Sequence, residues 1–458
     1  MTERTVPDRQ PREIRLNAFD MATPGHIQQG MWTHPRDNSR GYTTIGHWTD
    51  LARRLERGLF DGLFLADVLG VYDVHGGNRD AALSGGVQVP LLDPMLTIPA
   101  MAAVTTELGF GVTSNTAYEP PYLFARRMST LDHLTAGRVG WNIVTGYLDS
   151  AARALGYDGQ MQHDDRYDLA DEYMEAVYAL WEGSWADDAV RRDAAGNGYT
   201  DPTRVRAVVH EGRQYRINAI HLCEPSLQRT PVLYQAGASD RGRRFAATHA
   251  ECVFVNGSKP SVVRALVDDL RARAAPRQIL VFVGATVVVG RTEREAQSLL
   301  ADYAAHASAE ATLAHASASL GIDFARYGMD EPIAAAPTQA IRSNVDAMVK
   351  VAGPAWTKRT LLAQSVLGSR QPPIVGDPHQ VADALQAWVD EANVDGFNLS
   401  RTVMPECLEA FIALVVPVLQ ERGVYKSSYA EGSYREKLFR AGPRLPESHV
   451  AARHRHWP

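Results

Sequence analysis

The chain has 458 residues, 45% of them hydrophobic, so it can bury a large core without disulfides or metal ions. A formal charge of -6 and a pI of about 6.2 exclude a basic field for nucleic acid or an anionic membrane. Cys223, Cys252 and Cys407 are odd in number and far apart, which excludes a disulfide framework and fits a reducing compartment. The N-terminus, MTERTVPDRQPREI, lacks an apolar h-region, and no apolar run approaches the roughly 20 residues that span a bilayer. The expectation is a soluble, cytoplasmic protein.

Taken in chain order, short apolar runs alternate with amphipathic stretches. IRLNAF from Ile14 predicts a strand. Trp48, Leu51, Ala52, Leu55 and Leu59 then fall at helical spacing. GLFLAD from Gly62 is a continuous apolar run, as a parallel strand covered on both faces requires. LGFGVTS from Leu108, a helix through ARRMSTLDHL and RVGWNIV from Arg138 repeat the unit. After HDDRYD, the residues Leu169, Tyr173, Ala176, Val177 and Leu180 share one helix face. PVLYQAG from Pro231, ECVFVNG from Glu251, ILVFVGATVVVG from Ile279 and DGFNLS from Asp395 are further strands, each followed by a helical pattern. Thr292 with Glu295 has capping-box spacing, and Asp377-Pro378 sets a cap before an N1 proline.

About eight such units, joined by right-handed crossovers, close into an α/β fold of the (β/α)8 TIM-barrel type. An open doubly wound sheet is the alternative. It lacks support, because no Gly-x-Gly-x-x-Gly follows the first strand and no Walker A sequence occurs. Residues 1–458 read as one barrel domain with insertions near 184–230 and 305–376 and a C-terminal arm at 424–458. Long insertions on such a scaffold serve as lids or binding loops. The arm interleaves Tyr425, Tyr429 and Tyr434 with charges, which suits packing on a neighbouring subunit or a loosely held terminus.

Chemistry in a barrel belongs at the C-terminal ends of the strands. The polar residues there are Asp20 to His26, Asp67, Ser114-Asn115, Asn142 to Tyr147, Gln235 to Ser239 and Asn256-Gly257. QAGASDRGRRF places Gly237, Ser239 and Gly242 between a strand and a helix start, which makes an anion site or a tight turn with a serine cap. HDDRYD, from His163 to Asp168, has ligands too close together to converge on a metal, and no metal is expected. Acidic residues at a helix start are its simpler reading, with Arg166 and Tyr167 able to project toward a phosphate. The histidines are scattered; His26 stands out in a Pro-Gly turn after strand one, and His315 by its place in the second insertion. Cys223 has no neighbouring base and is not a nucleophile candidate. Residue chemistry alone reaches a barrel enzyme with a phosphate-bearing ligand.

LNAFDM, GHIQQGMWTHP, RLERGLFDGLFLADVLGVYD, ARRMSTLDHLTAGRVGWNIVT, HDDRYDLADEY, LCEPSLQRTPVLYQAG and YREKLF resemble the nitrilotriacetate monooxygenase component A family of bacterial-luciferase-like flavin monooxygenases. The resemblance runs from about Ile14 to Arg453 and is strongest to the branch with long-chain alkane monooxygenase, dimethyl sulfide monooxygenase and riboflavin lyase. It implies a luciferase-like barrel that binds FMN, in the reduced form FMNH2, at the C-terminal mouth. It also implies a homodimer or homotetramer, O2 as co-substrate, and a separate NAD(P)H:flavin reductase as partner.

Carried over residue by residue, Asp67, Asn142, Arg166, Tyr167, Ala238 and Ser239 match FMN contacts, the last four around the phosphate. His26, Tyr72, Gln88 and His315 match the substrate side of the flavin. Two positions depart: Thr23 stands where the alkane branch has a cysteine, and Tyr147 where it has a histidine. Two hydroxyls in a substrate wall argue against a plain alkane. His26, His315 and Tyr147 are the catalytic candidates, the histidines for proton transfer because imidazole titrates near neutrality. Thr23, Tyr72 and Gln88 are the substrate-binding candidates.

The expected activity is an FMNH2- and O2-dependent monooxygenation of a small organic substrate in catabolism. One alternative is cleavage of riboflavin to lumichrome and ribose, as in riboflavin catabolism; another is a flavin-binding protein without turnover.

Overall fold

Runs rich in valine, isoleucine and phenylalanine fit a pleat buried on both faces. In the computed structural model, which describes residues 12–237, 239–257, 259–333, 356–367 and 372–457, they become eight parallel strands. These are β1 (Arg15–Met21), β2 (Gly62–Ala66), β3 (Gly109–Asn115), β4 (Val139–Val144), β5 (Val232–Gln235), β6 (Cys252–Val255), β7 (Leu280–Val289) and β8 (Gly396–Ser400). Each pairs with the next, and β8 returns to β1, where Asn17 stands opposite both Gly62 and Asn398. The barrel is closed, as the repeat predicted. β7 continues past the rim, where Val287–Val289 pair with Ile374–Gly376.

Helices cover the strands outside. Ile45–Arg57 buries Trp48, Leu51, Ala52 and Leu55, and the Thr44 side chain caps it by accepting from His47 N–H. Leu59 lies beyond that helix, in left-handed backbone. Asp377 and Gln380 make the full capping box expected at Asp377-Pro378. At Thr292 only half of the box forms, because the Glu295 carboxylate instead accepts from Arg291 N–H. Inside the barrel, Phe19 meets Phe64 edge-on at 5.5 Å and Phe64 meets Tyr234 at 5.4 Å, forming a floor under the C-terminal mouth.

The C-terminal arm closes the bottom of its own barrel. The hydroxyls of Tyr425 and Tyr429 donate to the carbonyls of Leu59 and Phe60, each at 2.7 Å. Tyr434 enters between β2 and β3, where a Cβ on Gly62 or Gly109 would collide with its ring or hydroxyl. Arg435 is buried and donates to both oxygens of Glu251, at 2.7 and 2.9 Å. This corrects the expectation of a loosely held end: the tyrosines plug the barrel, and Lys426 and Arg435 beside them pair with Asp61 and Glu251.

The first insertion forms two hairpins, Val190–Asp193 with Gly198–Thr200 and Val208–Glu211 with Arg216–Ala219. The second brings the helix Ala309–Leu320 over the mouth, carrying His315. The rest of the expected lid falls largely on 334–355 and 368–371, outside the described residues. No helix among the described residues is long and apolar enough to cross a membrane.

Candidate active site

All eight strands contribute to the wall of one cavity at the C-terminal mouth, about 330 Å³ in volume. That lies within the roughly 300–1,000 Å³ of ligand pockets. Two kinds of chemistry meet there.

On one side, the helices His163–Tyr178 and Asp240–His249 both begin at the rim, turning unbonded N–H groups and their positive dipole ends toward the cavity. Ser239 caps the second helix by accepting from Gly242 N–H at 3.0 Å, and its Oγ lies 3.4 Å from His163 Nε2. The serine cap, one of the two readings from sequence, is present, and the helix start that it caps suits an anion. Gly237 N–H donates to Gln235 Oε1 at 2.8 Å, and Gln235 Nε2 donates to the Tyr167 hydroxyl at 3.5 Å. A Cβ on Gly237 or Gly242 would stand 2.9 or 2.8 Å from that hydroxyl, so the close fit requires both glycines. Arg166 lines the cavity while 2% exposed; burial lowers its pKa, yet a guanidinium stays charged at neutral pH. Arg241 holds the Tyr167 ring from behind, 5.4 Å over its centroid. A buried cation, two helix starts and a hydroxyl suit a phosphate dianion. Ala238 lies outside the described residues.

Facing this cradle is a chain of polar side chains. Tyr147 and Tyr72 share a hydroxyl–hydroxyl bond of 2.6 Å, and Tyr72 donates to Gln88 Oε1 at 2.7 Å. Gln88 Nε2 lies 3.2 Å from both the His26 carbonyl oxygen and His315 Nε2. A carbonyl only accepts, so the amide nitrogen must face it and Oε1 must face Tyr72. Tyr72 has one proton and gives it to Gln88, so Tyr147 donates to Tyr72. The same donor counting makes His315 Nε2 an acceptor, and in its neutral form His315 carries the proton on Nδ1.

His26 lines the same cavity, edge-on to Phe19 at 4.5 Å. Its pKa lies well below the ordinary value, first through burial and then through electrostatic interaction with Arg401 and His315. The expectation that His26 titrates near neutrality is therefore corrected: enclosed in the wall, its imidazole stays neutral. Asp67 goes the other way, raised to about 7 by burial and by Asp93, against a lowering backbone bond from Val68. Asn142 donates to Thr113 Oγ1 at 2.9 Å and keeps a buried, unpartnered Oδ1 on a cavity residue. An acceptor of this kind fits a heteroaromatic ring N–H, as a flavin carries.

Thr23 does not line the cavity. The chain turns at the end of β1, where Thr23 N–H donates to Met21 O at 2.7 Å, and the fully buried side chain lies inside the wall. Its carbonyl accepts from Arg401, which pairs with Asp20 at 2.8 Å. Tyr147, the other departure, does line the cavity. Sequence reasoning takes His163, which lines the cavity, only as a helix start, and passes over Arg401, which lies behind the wall. Arg401 directly follows β8, so the rule of polar residues after apolar runs could have found it.

The family described as luciferase-like monooxygenase matches residues 20–395 of the chain. A long-chain alkane monooxygenase of Geobacillus thermodenitrificans (strain NG80-2) is 48% identical over 450 residues, spanning 97% of this chain and 98% of that protein. A dimethyl-sulfide monooxygenase of Hyphomicrobium sulfonivorans is 45% identical over 451 residues, spanning 97% and 94%, and its crystal structure matches with a TM-score of 0.91. A crystal structure of riboflavin lyase with modified FMN and riboflavin matches with a TM-score of 0.91 at 35% identity, covering 97% of this chain and 100% of that one. With its closed barrel and a cavity at the C-terminal mouth, the chain is an enzyme of the luciferase-like monooxygenase family.

Proposed function

We propose that the chain is the oxygenase of a two-component system, taking FMNH2 from a separate NAD(P)H:flavin reductase and using O2 to oxidise a small organic substrate. One observation carries this reading: a phosphate-type cradle and a directed Tyr147–Tyr72–Gln88–His315 chain open into the same cavity. When bound, reduced flavin supplies the electrons that activate O2.

The protein's part is to bind, orient and exclude water. Arg166, Tyr167 and Ser239, with Ala238 by family resemblance, hold the phosphate, and Asn142 and Asp67 hold the ring. His315, positioned by Gln88, holds or moves a proton on the substrate side, with Tyr147 beside it; His26 presents a neutral imidazole. Tyr72 and Gln88 line the substrate wall. Thr23 acts from inside the wall, through Arg401. The resemblance to a component A supports the reductase, a homodimer or homotetramer, and a cytoplasmic site of action.

The hydroxyls of Tyr72 and Tyr147 favour a substrate with a polar group over a plain alkane. They also support a second reading, oxidative cleavage of riboflavin to lumichrome and ribose. A single turnover with FMNH2 and O2 against sulfides, alkanes, aminopolycarboxylates and riboflavin, followed by mass spectrometry, tests both. A product that requires FMNH2 and O2 supports the oxygenase, and lumichrome identifies the lyase. Conversion with NADH alone, without reductase, contradicts the two-component reading.

A further inference from the structure

Behind the main cavity lies a second, water-sized one of about 10 Å³, lined by Gln28, Asp37, Ser39, Arg401 and Thr402 among others. Among the described residues, His26 alone lines both cavities. Most polar groups around the small cavity are committed. Ser39 donates to Asp37, Arg401 holds Asp20 and the carbonyls of Thr23 and Pro24, and Asp37 also accepts from Met404 N–H. Three atoms are not: His26 Nδ1, Gln28 Oε1 and Thr402 Oγ1 are enclosed without a hydrogen-bond partner, on residues 3%, 4% and 2% exposed. Gln28 is fixed from the other side, where Nε2 donates to Thr286 Oγ1 at 3.0 Å on the wall of the main cavity.

A buried polar atom left unbonded costs about 1–3 kcal/mol, and native proteins satisfy such atoms with internal water where the space is polar and holds one probe sphere. Here the space and three unsatisfied atoms, the Thr402 hydroxyl among them, coincide. We propose that this cavity is a built site for a water molecule that bonds Gln28 Oε1 and His26 Nδ1 and so sets the tautomer of His26. Gln28 Oε1 only accepts, so the water gives it one proton. With its second proton given to Nδ1, the ring proton of His26 stands on Nε2, toward the main cavity; with Nδ1–H as the donor it stands away from it, and the ring 15N shifts distinguish the two. Gln28 is then a positioning residue for His26. The role for Nε2 rests on the flavin reading above; the water and the tautomer do not.

The test uses the flavin-free protein. A high-resolution crystal structure should hold a water within about 2.7–3.2 Å of both atoms, and ring 15N shifts should show an unprotonated Nδ1 on His26. In Gln28→Met the water should be lost and the His26 shifts should move toward a tautomer mixture. Turnover of that variant with FMNH2 should fall about tenfold while FMN affinity stays within about twofold. A dry cavity in the wild-type structure, or a protonated Nδ1, overturns the proposal even if the variant does not fold. Failure of flavin turnover with the water present would instead count against the functional reading.

Discussion

The Nε2 atoms of Gln88 and His315 lie 3.2 Å apart, and the His26 carbonyl at the same distance from the Gln88 nitrogen decides which of them donates. The imidazole accepts, and in its neutral form the ring proton stands on Nδ1, the nitrogen proposed to handle a proton. Removing such a group from a general acid–base step costs about 10²- to 10⁴-fold. His315→Ala should lower coupled turnover by about 10²-fold or more and leave FMN affinity within about twofold. Steady-state assays and fluorescence titration check this; full coupled turnover would remove the assignment.

Asp67 gives a pH signature. Folding raises its carboxyl from 3.8 to about 7, so between those values the folded chain keeps a proton that the unfolded chain has lost. Its stabilising contribution is complete below 3.8 and is lost as pH rises through about 7. Asp67→Asn should flatten the fall in stability across that window. Urea unfolding at about pH 5 and about pH 8 measures the slope; an unchanged slope would show that Asp67 is ionised throughout.

Legibility differed with distance along the chain. Local periodicity sufficed for every barrel strand, because a run such as LFLA in β2 is buried on both faces and carries its own signature. The cradle proposed for phosphate was legible in two pieces: Gly237 and Ser239 stand in one turn and Arg166 and Tyr167 at one helix start, whereas only fold closure brings the two together. The Tyr147–Tyr72–Gln88–His315 chain joins four separate segments, so no spacing announces its bonds or their direction. Thr23 misled because a strand-end position predicts the mouth, while the turn after Met21 takes the side chain into the wall. The arm misled because charged residues beside tyrosines look solvated until Glu251 is found beneath Arg435.

Close packing at the cradle predicts a binding defect without a folding defect. Gly237→Ala should push the Tyr167 hydroxyl and the start of the Asp240–His249 helix apart. FMN affinity should fall at least about tenfold, with the melting temperature changed by only a few degrees. Fluorescence titration against calorimetry separates the two; unchanged affinity would mean that the phosphate binds elsewhere.

Arg435 tests the barrel plug. Truncating one partner of a buried ion pair leaves an uncompensated charge, at about 3–5 kcal/mol. Arg435→Ala should destabilise the protein by that order through the stranded Glu251. Adding Glu251→Gln should recover part of the loss. Denaturant unfolding of the single and double variants measures it, and additive losses would contradict the coupling.

The most direct test of the assigned chemistry is stopped-flow oxidation of FMNH2 by O2 with and without the protein. Saturable binding of FMNH2 is predicted, together with an oxidation time course distinct from that of free flavin and altered again in His315→Ala. FMNH2 that neither binds nor reacts differently from free flavin would contradict the assignment.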